Sequence, residues 1–254
     1  MTSEWISRLA AGAVALVLSG AVAGADEIAK PIGVVELFTS QGCSSCPPAD
    51  ALFGELAASN DVIALAYHVD YWDYLGWRDT LGSADNTARQ YEYGKAFGLG
   101  SVYTPQAVIN GRVHVSGSSR SAVNGALDGL SKAGDGLTVP ISASQVGDSI
   151  MIDAGSATGS EDSAHVVLVY FDAQTPVVIE RGENSGSTIT YWNAVSKVQT
   201  AGMWHGKSQR FELPVSEIAK KDGCAVLLQS VDKDGLPGPI LGATVIRRPG
   251  AMPK

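Results

Sequence analysis

The stretch VVELFTSQGCSSCPPADALF, residues 34–53, decides the fold. It opens with a short apolar run rich in β-branched residues, which is typical of a buried strand. Beyond the cysteines, apolar residues recur at i, i+3, i+4 and i+7 from Ala49, which predicts one face of a helix over residues 43–59. Cys43 and Cys46 therefore lie at the junction of a predicted strand and a predicted helix.

A cysteine pair at the start of a helix suggests thiol chemistry. The thiolate, and not the thiol, attacks a disulfide. The N–H groups of the first helical turn and the helix dipole favour negative charge at this place. We expect Cys43 to be the nucleophile, because it lies at the N-terminal edge, and Cys46 to resolve the mixed disulfide. Pro47 and Pro48 suit a first helical turn, where a missing N–H costs little.

The first half of the chain alternates between two patterns. Residues 31–133 predict the order β-α-β-α-β-β-α, in which Asn110-Gly111 favours a tight hairpin turn between the last two strands. Such an order is typical of a central mixed sheet flanked by helices, an α/β fold.

The second half predicts strands with hardly any helix. Residues 133–136 form a predicted linker, and one short helical candidate lies at residues 215–220. The predicted strands lie at residues 137–143, 150–154, 166–171, 187–192, 209–213, 225–229 and 240–246. Gly, Asp, Ser and Pro clusters separate them. We therefore expect a mostly-β, sandwich-like domain over residues 137–247.

The composition limits the partners. The chain has 254 residues and a formal net charge of −8, and no Lys/Arg cluster stands out. Phosphate binding needs a basic surface, so nucleic acid is not an expected partner.

The chain contains three cysteines, and Cys224 is far from the other two. A fold stapled by disulfides would use more, so we expect chemistry at the one pair and inert burial of Cys224.

The first 25 residues are typical of a secretory signal peptide. Arg8 precedes a short apolar core at residues 9–18, and small residues follow as far as Ala25. The apolar run is shorter than the roughly 20 residues that a membrane span needs, so we expect cleavage rather than an anchor. The mature protein is then periplasmic or secreted, with no stable membrane span, in a space where disulfides persist.

Two short motifs carry a resemblance to a known superfamily. The stretch CSSCP at residues 43–47 follows a predicted strand, and Thr104-Pro105 precedes a late one. In this order they resemble the thioredoxin-like superfamily over residues 31–133. The resemblance implies that Pro105 is cis and packs beside the cysteines, while Thr104 offers its backbone to an incoming chain. Both residues would then form the substrate-binding wall.

Glu36 lies on the predicted strand before the cysteine pair. The superfamily resemblance implies that such an acid serves as a buried proton acceptor and is part of the catalytic set. A buried carboxylate has a raised pKa and can take the proton of the resolving thiol. The alternative is a glutamate that pairs with a surface Lys or Arg.

A narrower resemblance rests on VVELF at residues 34–38, QGCSSCPPAD at residues 41–50 and HVDYWD at residues 68–73. Together these stretches are similar to a family of exported bacterial proteins known as domain of unknown function 1223. Membership implies a thioredoxin-like fold and no established substrate.

Two further stretches predict surfaces near the site. The aromatic-rich stretch at residues 67–77 follows the second predicted strand. It predicts a loop whose aromatic side chains pack over the core. The alternatives are a lid or recognition surface, and metal binding in which His68, Asp70 and Asp73 join the thiolates. The stretch RGENSG at residues 181–186 predicts a hairpin turn, with a contact surface for the first half as a second role.

Three functions remain open from the sequence. The leading hypothesis is an exported thiol–disulfide oxidoreductase without a cofactor, acting on protein or small-molecule thiols and disulfides through Cys43 and Cys46. The second is a copper or zinc delivery module that binds metal through Cys43, Cys46 and His68, because soft thiolates and imidazole suit Cu(I) and zinc. The third is a non-catalytic binding protein in which the disulfide only stiffens a loop.

Overall fold

The structure is a computed structural model that describes residues 30–59, 61–158, 163–218 and 220–248. The predicted signal peptide lies outside the described residues. No helix in the described part of the chain is long and apolar enough to cross a membrane.

The first half has the predicted order of strands and helices. Its elements are β1 (Gly33–Thr39), α1 (Pro47–Ser59), β2 (Val62–His68), α2 (Ala84–Ala96), β3 (Gln106–Ile109), β4 (Val113–Ser116) and α3 (Arg120–Ala133). A short 3-10 turn at Asp73–Leu75 lies between β2 and α2. The predicted order β-α-β-α-β-β-α is therefore confirmed.

Helix α1 begins at Pro47, four residues later than predicted. The first helical hydrogen bonds run from the N–H groups of Ala49 and Asp50 to the carbonyl of Cys46, at 2.8 and 3.0 Å. Cys46 in turn donates its N–H to the carbonyl of Cys43, at 3.2 Å, which closes a separate turn. Because prolines in the first helical turn need no N–H partner, the helix starts cleanly after this turn.

The second half contains a counterpart for each predicted strand. These are β5 (Ile141–Val146), β6 (Ser149–Ala154), β7 (Ala164–Val178), β8 (Thr188–Trp204), β9 (Gln209–Pro214), β10 (Gly223–Val231) and β11 (Pro237–Arg247). The first of them begins at Ile141 and not at Leu137, and the predicted short helix is a 3-10 turn at Val215–Glu217. Strands β7 and β8 are longer than predicted, at 15 and 17 residues.

One large mixed sheet runs through both halves. Its order is β11-β10-β7-β8-β2-β1-β3-β4, and a separate sheet has the order β5-β6-β9. β1 is parallel to β2 and antiparallel to β3. The halves join where β2 pairs in parallel with β8 through Ala66 and Ala194. The fold is thus a mixed α/β fold whose large sheet is flanked by few helices.

Strand β1 has one face toward α1 and the other face away from it. Val35 and Leu37 pack in a core cluster with Phe53 of α1. Because successive side chains of a strand point to opposite faces, Glu36 lies on the face opposite α1. This alternation decides which partners Glu36 can reach.

The core on that opposite face is shared between the two halves. It unites side chains of β1, β2, β7 and β10, among them Val34, Leu65, Val169 and Leu227. A third cluster fills the space between the three-stranded sheet and the second half of the large sheet, with Ile152, Val166, Trp204 and Leu228 among its members. Both the large sheet and the core cluster shared between the halves cross the predicted boundary at residues 133–137. The division into domains at residues 31–133 and 137–247 therefore stays a prediction.

Candidate functional site

The cysteine pair forms a buried disulfide in the turn before α1. Cys43 and Cys46 are bonded, with their Cα atoms 5.4 Å apart. Cys43 is 2% exposed and Cys46 is fully buried, whereas Ser44 and Ser45 between them are exposed. The peptide bond from Thr104 to Pro105 is cis, as the superfamily resemblance implies.

Thr104 contacts the sulfur of Cys43 directly. Its hydroxyl Oγ1 donates to Cys43 Sγ at 3.2 Å, and it accepts a hydrogen bond from Trp72 Nε1 at 2.8 Å. The backbone carbonyl of Thr104 accepts from the hydroxyl of Ser45 at 3.4 Å. Bonds in such a chain polarise one another, so Trp72 strengthens the donor that faces the sulfur. The sequence resemblance assigned only the backbone of Thr104 to the site.

The N-terminus of α1 stabilises a thiolate at Cys43 less than its position suggests. Pro47 and Pro48 carry no N–H, and the N–H groups of Ala49 and Asp50 are both bonded to the carbonyl of Cys46. The expected stabilisation of a Cys43 thiolate by free N–H groups of the first turn is therefore not provided by these residues. The hydroxyl of Thr104 supplies a donor instead.

Gln41 anchors the cysteine turn to the aromatic-rich stretch. Its side-chain carbonyl accepts from Trp77 Nε1 at 2.8 Å, and its backbone N–H donates to Asp79 Oδ2 at 2.8 Å. A Cβ atom at Gly42 would lie 3.1 Å from Cβ of Trp72. Trp72 and Trp77 of the aromatic-rich stretch therefore contact the cysteine turn, whereas Tyr74 between them is 78% exposed.

The tip of the β7–β8 hairpin, residues 179–187, contacts the cysteine turn from the second half of the chain. The side-chain amide of Asn184 donates to the carbonyls of Gln41 and Cys43, each at 2.9 Å. The sequence predicts both a turn and a contact with the first half at this place. What it does not identify is Asn184 as the contacting side chain.

Glu36 is fully buried but engaged away from the cysteines. Its carboxylate pairs with the guanidinium of Arg89 at 2.7 Å and accepts a short hydrogen bond from the hydroxyl of Tyr93. Burial alone would lower the pKa of Arg89, yet the charge of Glu36 raises that pKa well above its usual value. Gln229 of β10 completes the network with bonds to Arg89 and Tyr93, at 3.0 and 2.8 Å. Glu36 thus joins β1, α2 and the second half of the chain.

Asp50 is a second buried acid, and it lies one helical turn after Cys46. The hydroxyl of Thr39 donates to its Oδ1 at 2.7 Å, while Oδ2 has no hydrogen-bond partner among the described residues. Burial raises the pKa of Asp50 to about 7, against the opposing effects of the His68 charge and the Thr39 hydrogen bond. Asp50 was not predicted from the sequence, although its spacing of four residues from Cys46, on the buried face of α1, is a signal that could have identified it.

His68 and Asp79 lie close to Asp50. His68 Nδ1 is 2.8 Å from Asp79 Oδ2, and its Nε2 has no partner within the described ranges. Burial alone would raise the pKa of Asp79, but the charge and hydrogen bond of His68 and two backbone N–H groups lower it. The ring of Tyr191 from β8 stands edge-on to His68, with ring centres 4.5 Å apart. These residues form a buried polar cluster, which we call the Asp50 cluster: Thr39, Asp50, His68, Asp79 and Tyr191.

The alternative metal set is not assembled. Among the residues that the structure describes, no group of three or more His, Cys, Asp or Glu side chains could hold a metal ion. His68 is bonded to Asp79, and the two sulfurs are bonded to each other.

Cys224 lies apart from the site, within β10. It is 1% exposed and belongs to the core cluster beneath the three-stranded sheet. Burial raises the pKa of its thiol to about 12. Such a thiol is a poor nucleophile near neutral pH.

Comparisons with known proteins cover most of this structure. A search of curated proteins gives no match. An X-ray crystal structure of a protein from Agrobacterium tumefaciens, a structural genomics target, is 45% identical, with a TM-score of 0.79, and the match covers 86% of this chain and 95% of that one. The family model described as "Protein of unknown function (DUF1223)" matches residues 34–229, which include the whole candidate site. The chain therefore belongs to the DUF1223 family.

Proposed function

We propose that this protein is an exported thiol–disulfide oxidoreductase that works through Cys43 and Cys46. The observation that carries the proposal is the hydrogen bond from the Thr104 hydroxyl to Cys43 Sγ, at 3.2 Å, beside a cis Pro105. A donor aimed at the sulfur favours the thiolate form once the pair is reduced. The element order of the first half and the cis proline also support a thioredoxin-like assignment of residues 31–133.

The reaction is a pair of thiolate attacks. A substrate thiolate attacks Cys43 Sγ, which forms a mixed disulfide and breaks the bond to Cys46. The Cys46 sulfur leaves with the electron pair and takes a proton. A second substrate thiolate then attacks the substrate sulfur, forms the substrate disulfide and releases Cys43 as a thiolate. The substrate loses two electrons and the cysteine pair gains them; reduction of a substrate disulfide follows the same steps in reverse.

We assign the proton transfer at Cys46 to Asp50 in place of Glu36. Both oxygens of Glu36 are committed to Arg89 and Tyr93, on the face of β1 opposite α1. One oxygen of Asp50 has no hydrogen-bond partner in the described part of the chain, and the pKa of about 7 allows this carboxyl group to accept or return a proton near neutral pH. The N–H of Asp50 is bonded to the carbonyl of Cys46, which fixes the two residues one turn apart.

Two substitutions test the proposal with a small aromatic disulfide as the substrate. Cys43→Ser removes the nucleophile, so turnover is expected to stop. Cys46→Ser removes the resolving thiol, so a mixed disulfide at Cys43 is expected to accumulate and to be visible by mass spectrometry. Cys224→Ala is the matched control and should retain turnover, because that thiol is buried in another cluster. Unchanged turnover in both site variants contradicts the proposal.

The reduction potential separates this function from an inert disulfide. A structural disulfide has a potential below about −300 mV, whereas a reactive pair lies higher. Equilibration of the pair with glutathione or dithiothreitol buffers, read by thiol labelling, gives the reduction potential.

Export is part of the same proposal, because residues 1–25 have the pattern of a signal peptide. N-terminal sequencing of the secreted or periplasmic protein tests it.

A further inference from the structure

The hairpin tip is a preformed turn. The N–H of Ile179 donates to the carbonyl of Ser187 at 2.9 Å, and the N–H of Gly186 donates back to the carbonyl of Ile179 at 2.8 Å. The hydroxyl of Ser185 bonds the carbonyl of Glu180, also at 2.9 Å. These bonds lie within the tip, so its shape does not depend on its contact with the cysteine turn.

The tip docks on the cysteine turn through few groups. Asn184 donates to two carbonyls there, those of Gln41 and Cys43. Gly182 approaches so closely that a Cβ atom would lie 3.1 Å from Cβ of Trp77, and Trp77 in turn bonds the side chain of Gln41. The tip therefore contacts both the cysteine turn and Trp77 of the aromatic-rich stretch.

Cys43 is only 2% exposed in this docked arrangement. The hydroxyl of Thr104 contacts the sulfur, and the hydroxyl of Ser45 donates a hydrogen bond to the backbone carbonyl of Thr104. A polypeptide substrate must lie along the site and displace these neighbours, whereas a small thiol needs only an approach to one sulfur atom.

We infer that the hairpin tip, through Asn184, sets the substrate class of the site: small-molecule thiols and disulfides are accepted and polypeptide disulfides are excluded while the tip is docked. This inference rests on the proposed function. Asn184 acts as a positioning residue, since it touches the backbone of the cysteine turn and not the reacting sulfur.

Labelling of Cys43 with reagents of two sizes tests the inference. The Cys46→Ser background leaves Cys43 as the thiol of the turn, and Cys224 is buried. Iodoacetamide is the small probe, and a maleimide on a long polyethylene glycol chain is the bulky one. Loss of the two Asn184 hydrogen bonds in Asn184→Ala should speed bulky labelling about tenfold or more relative to iodoacetamide. Asn124→Ala, an exposed asparagine on α3, is the control and should leave the ratio unchanged.

Turnover gives the second measurement, with the aromatic disulfide and insulin as substrates. The wild-type protein should turn over the small disulfide and leave insulin nearly untouched, and Asn184→Ala should gain insulin turnover. Gly182→Ala provides an independent way to undock the tip if Asn184→Ala does not fold, because its Cβ would press against Trp77. Equal labelling rates by the two reagents in the Cys46→Ser protein, or a ratio unchanged by either tip variant in that background, overturn the inference. Loss of the proposed function would appear separately, as turnover that survives Cys43→Ser.

Discussion

The two buried acids of the first half differ in what surrounds them. Glu36 is fully buried, and its carboxylate is matched by the guanidinium of Arg89 and the hydroxyl of Tyr93. Asp50 is 5% exposed, and it receives one hydrogen bond, from Thr39, while its second oxygen has no partner among the described residues. Glu36 is a charge compensated by its partners, and it joins β1 to α2. Asp50 is a carboxyl group that burial biases toward its protonated form.

This difference indicates which of the two acids can take part in proton transfer. An ion pair with all its lone pairs satisfied resists any change in protonation, because the change would leave a buried cation alone. An acid with one free oxygen and a pKa of about 7 changes protonation near neutral pH. Burial of an acid near a cysteine motif therefore does not identify a proton acceptor; its hydrogen-bond partners do.

The largest expected effect is on stability, at Glu36. Glu36→Gln leaves Arg89, whose side chain is 10% exposed, without a counter-ion. Breaking one partner of a buried ion pair costs about 3–5 kcal/mol, so the free energy of unfolding should fall by that amount in urea titrations.

Glu55→Gln is the matched control for this test. Glu55 pairs with Arg120 on the surface, where the side chains are 62% and 54% exposed. An exposed pair contributes about 0–1 kcal/mol, so this variant should unfold close to the wild type. Equal effects of the two substitutions would remove the distinction between Glu36 and a surface acid.

The second expected effect is a pH dependence that belongs to Asp50. Its pKa is raised by burial to about 7, so the folded protein holds a proton that the unfolded chain releases from about pH 4 upward. The resulting stability is fully present below the unfolded pKa and is lost as the pH rises through the folded pKa. Between about pH 5 and pH 8 this loss amounts to about 3 kcal/mol.

Asp50→Asn should remove this dependence, because an amide does not titrate. The groups that face Asp50 are Thr39, His68, Asp79 and Tyr191, and they remain in the variant. Urea unfolding of both proteins across the pH range isolates the contribution of Asp50 as a difference between two curves. Parallel curves would mean that Asp50 titrates normally and is a poor proton acceptor for Cys46.

The sequence predicted the local elements better than the contacts between them. Apolar periodicity identified α1 and the strands, since each pattern depends on neighbouring residues. Neither the role of Asp50 nor the partner of Glu36 was predicted from local pattern. Arg89 lies on a helix whose buried face is largely polar, and Asn184 meets the cysteine turn only because β8 pairs with β2. Such contacts depend on the whole fold, which a local pattern does not encode.

The third expected effect is a loss of stability at Tyr93, which measures how much its hydroxyl compensates the charge of Glu36. Tyr93→Phe removes the hydroxyl that donates to its carboxylate and also loses the bond from Gln229. A hydrogen bond to a charged group contributes about 2 kcal/mol, so the free energy of unfolding should fall by roughly that much. Tyr91→Phe on the same helix is the control, because Tyr91 is 48% exposed. A loss below that of the control would show that Arg89 alone compensates Glu36.

The smallest effect isolates the one hydrogen bond that Asp50 receives. Thr39→Val keeps the shape of the side chain and removes the hydroxyl that donates to Asp50 Oδ1. Because this bond lowers the pKa of Asp50, its loss should raise that pKa further above about 7. The expected cost is about 1 kcal/mol where Asp50 is ionised and less where it is protonated, so the loss of stability with rising pH should continue to a higher pH than in the wild type. An NMR titration of the Asp50 carboxyl group reads the same shift directly. A pKa that stays in place in the variant would mean that burial, His68 and Asp79 set the protonation of Asp50, and that Thr39 only fills space at the end of β1.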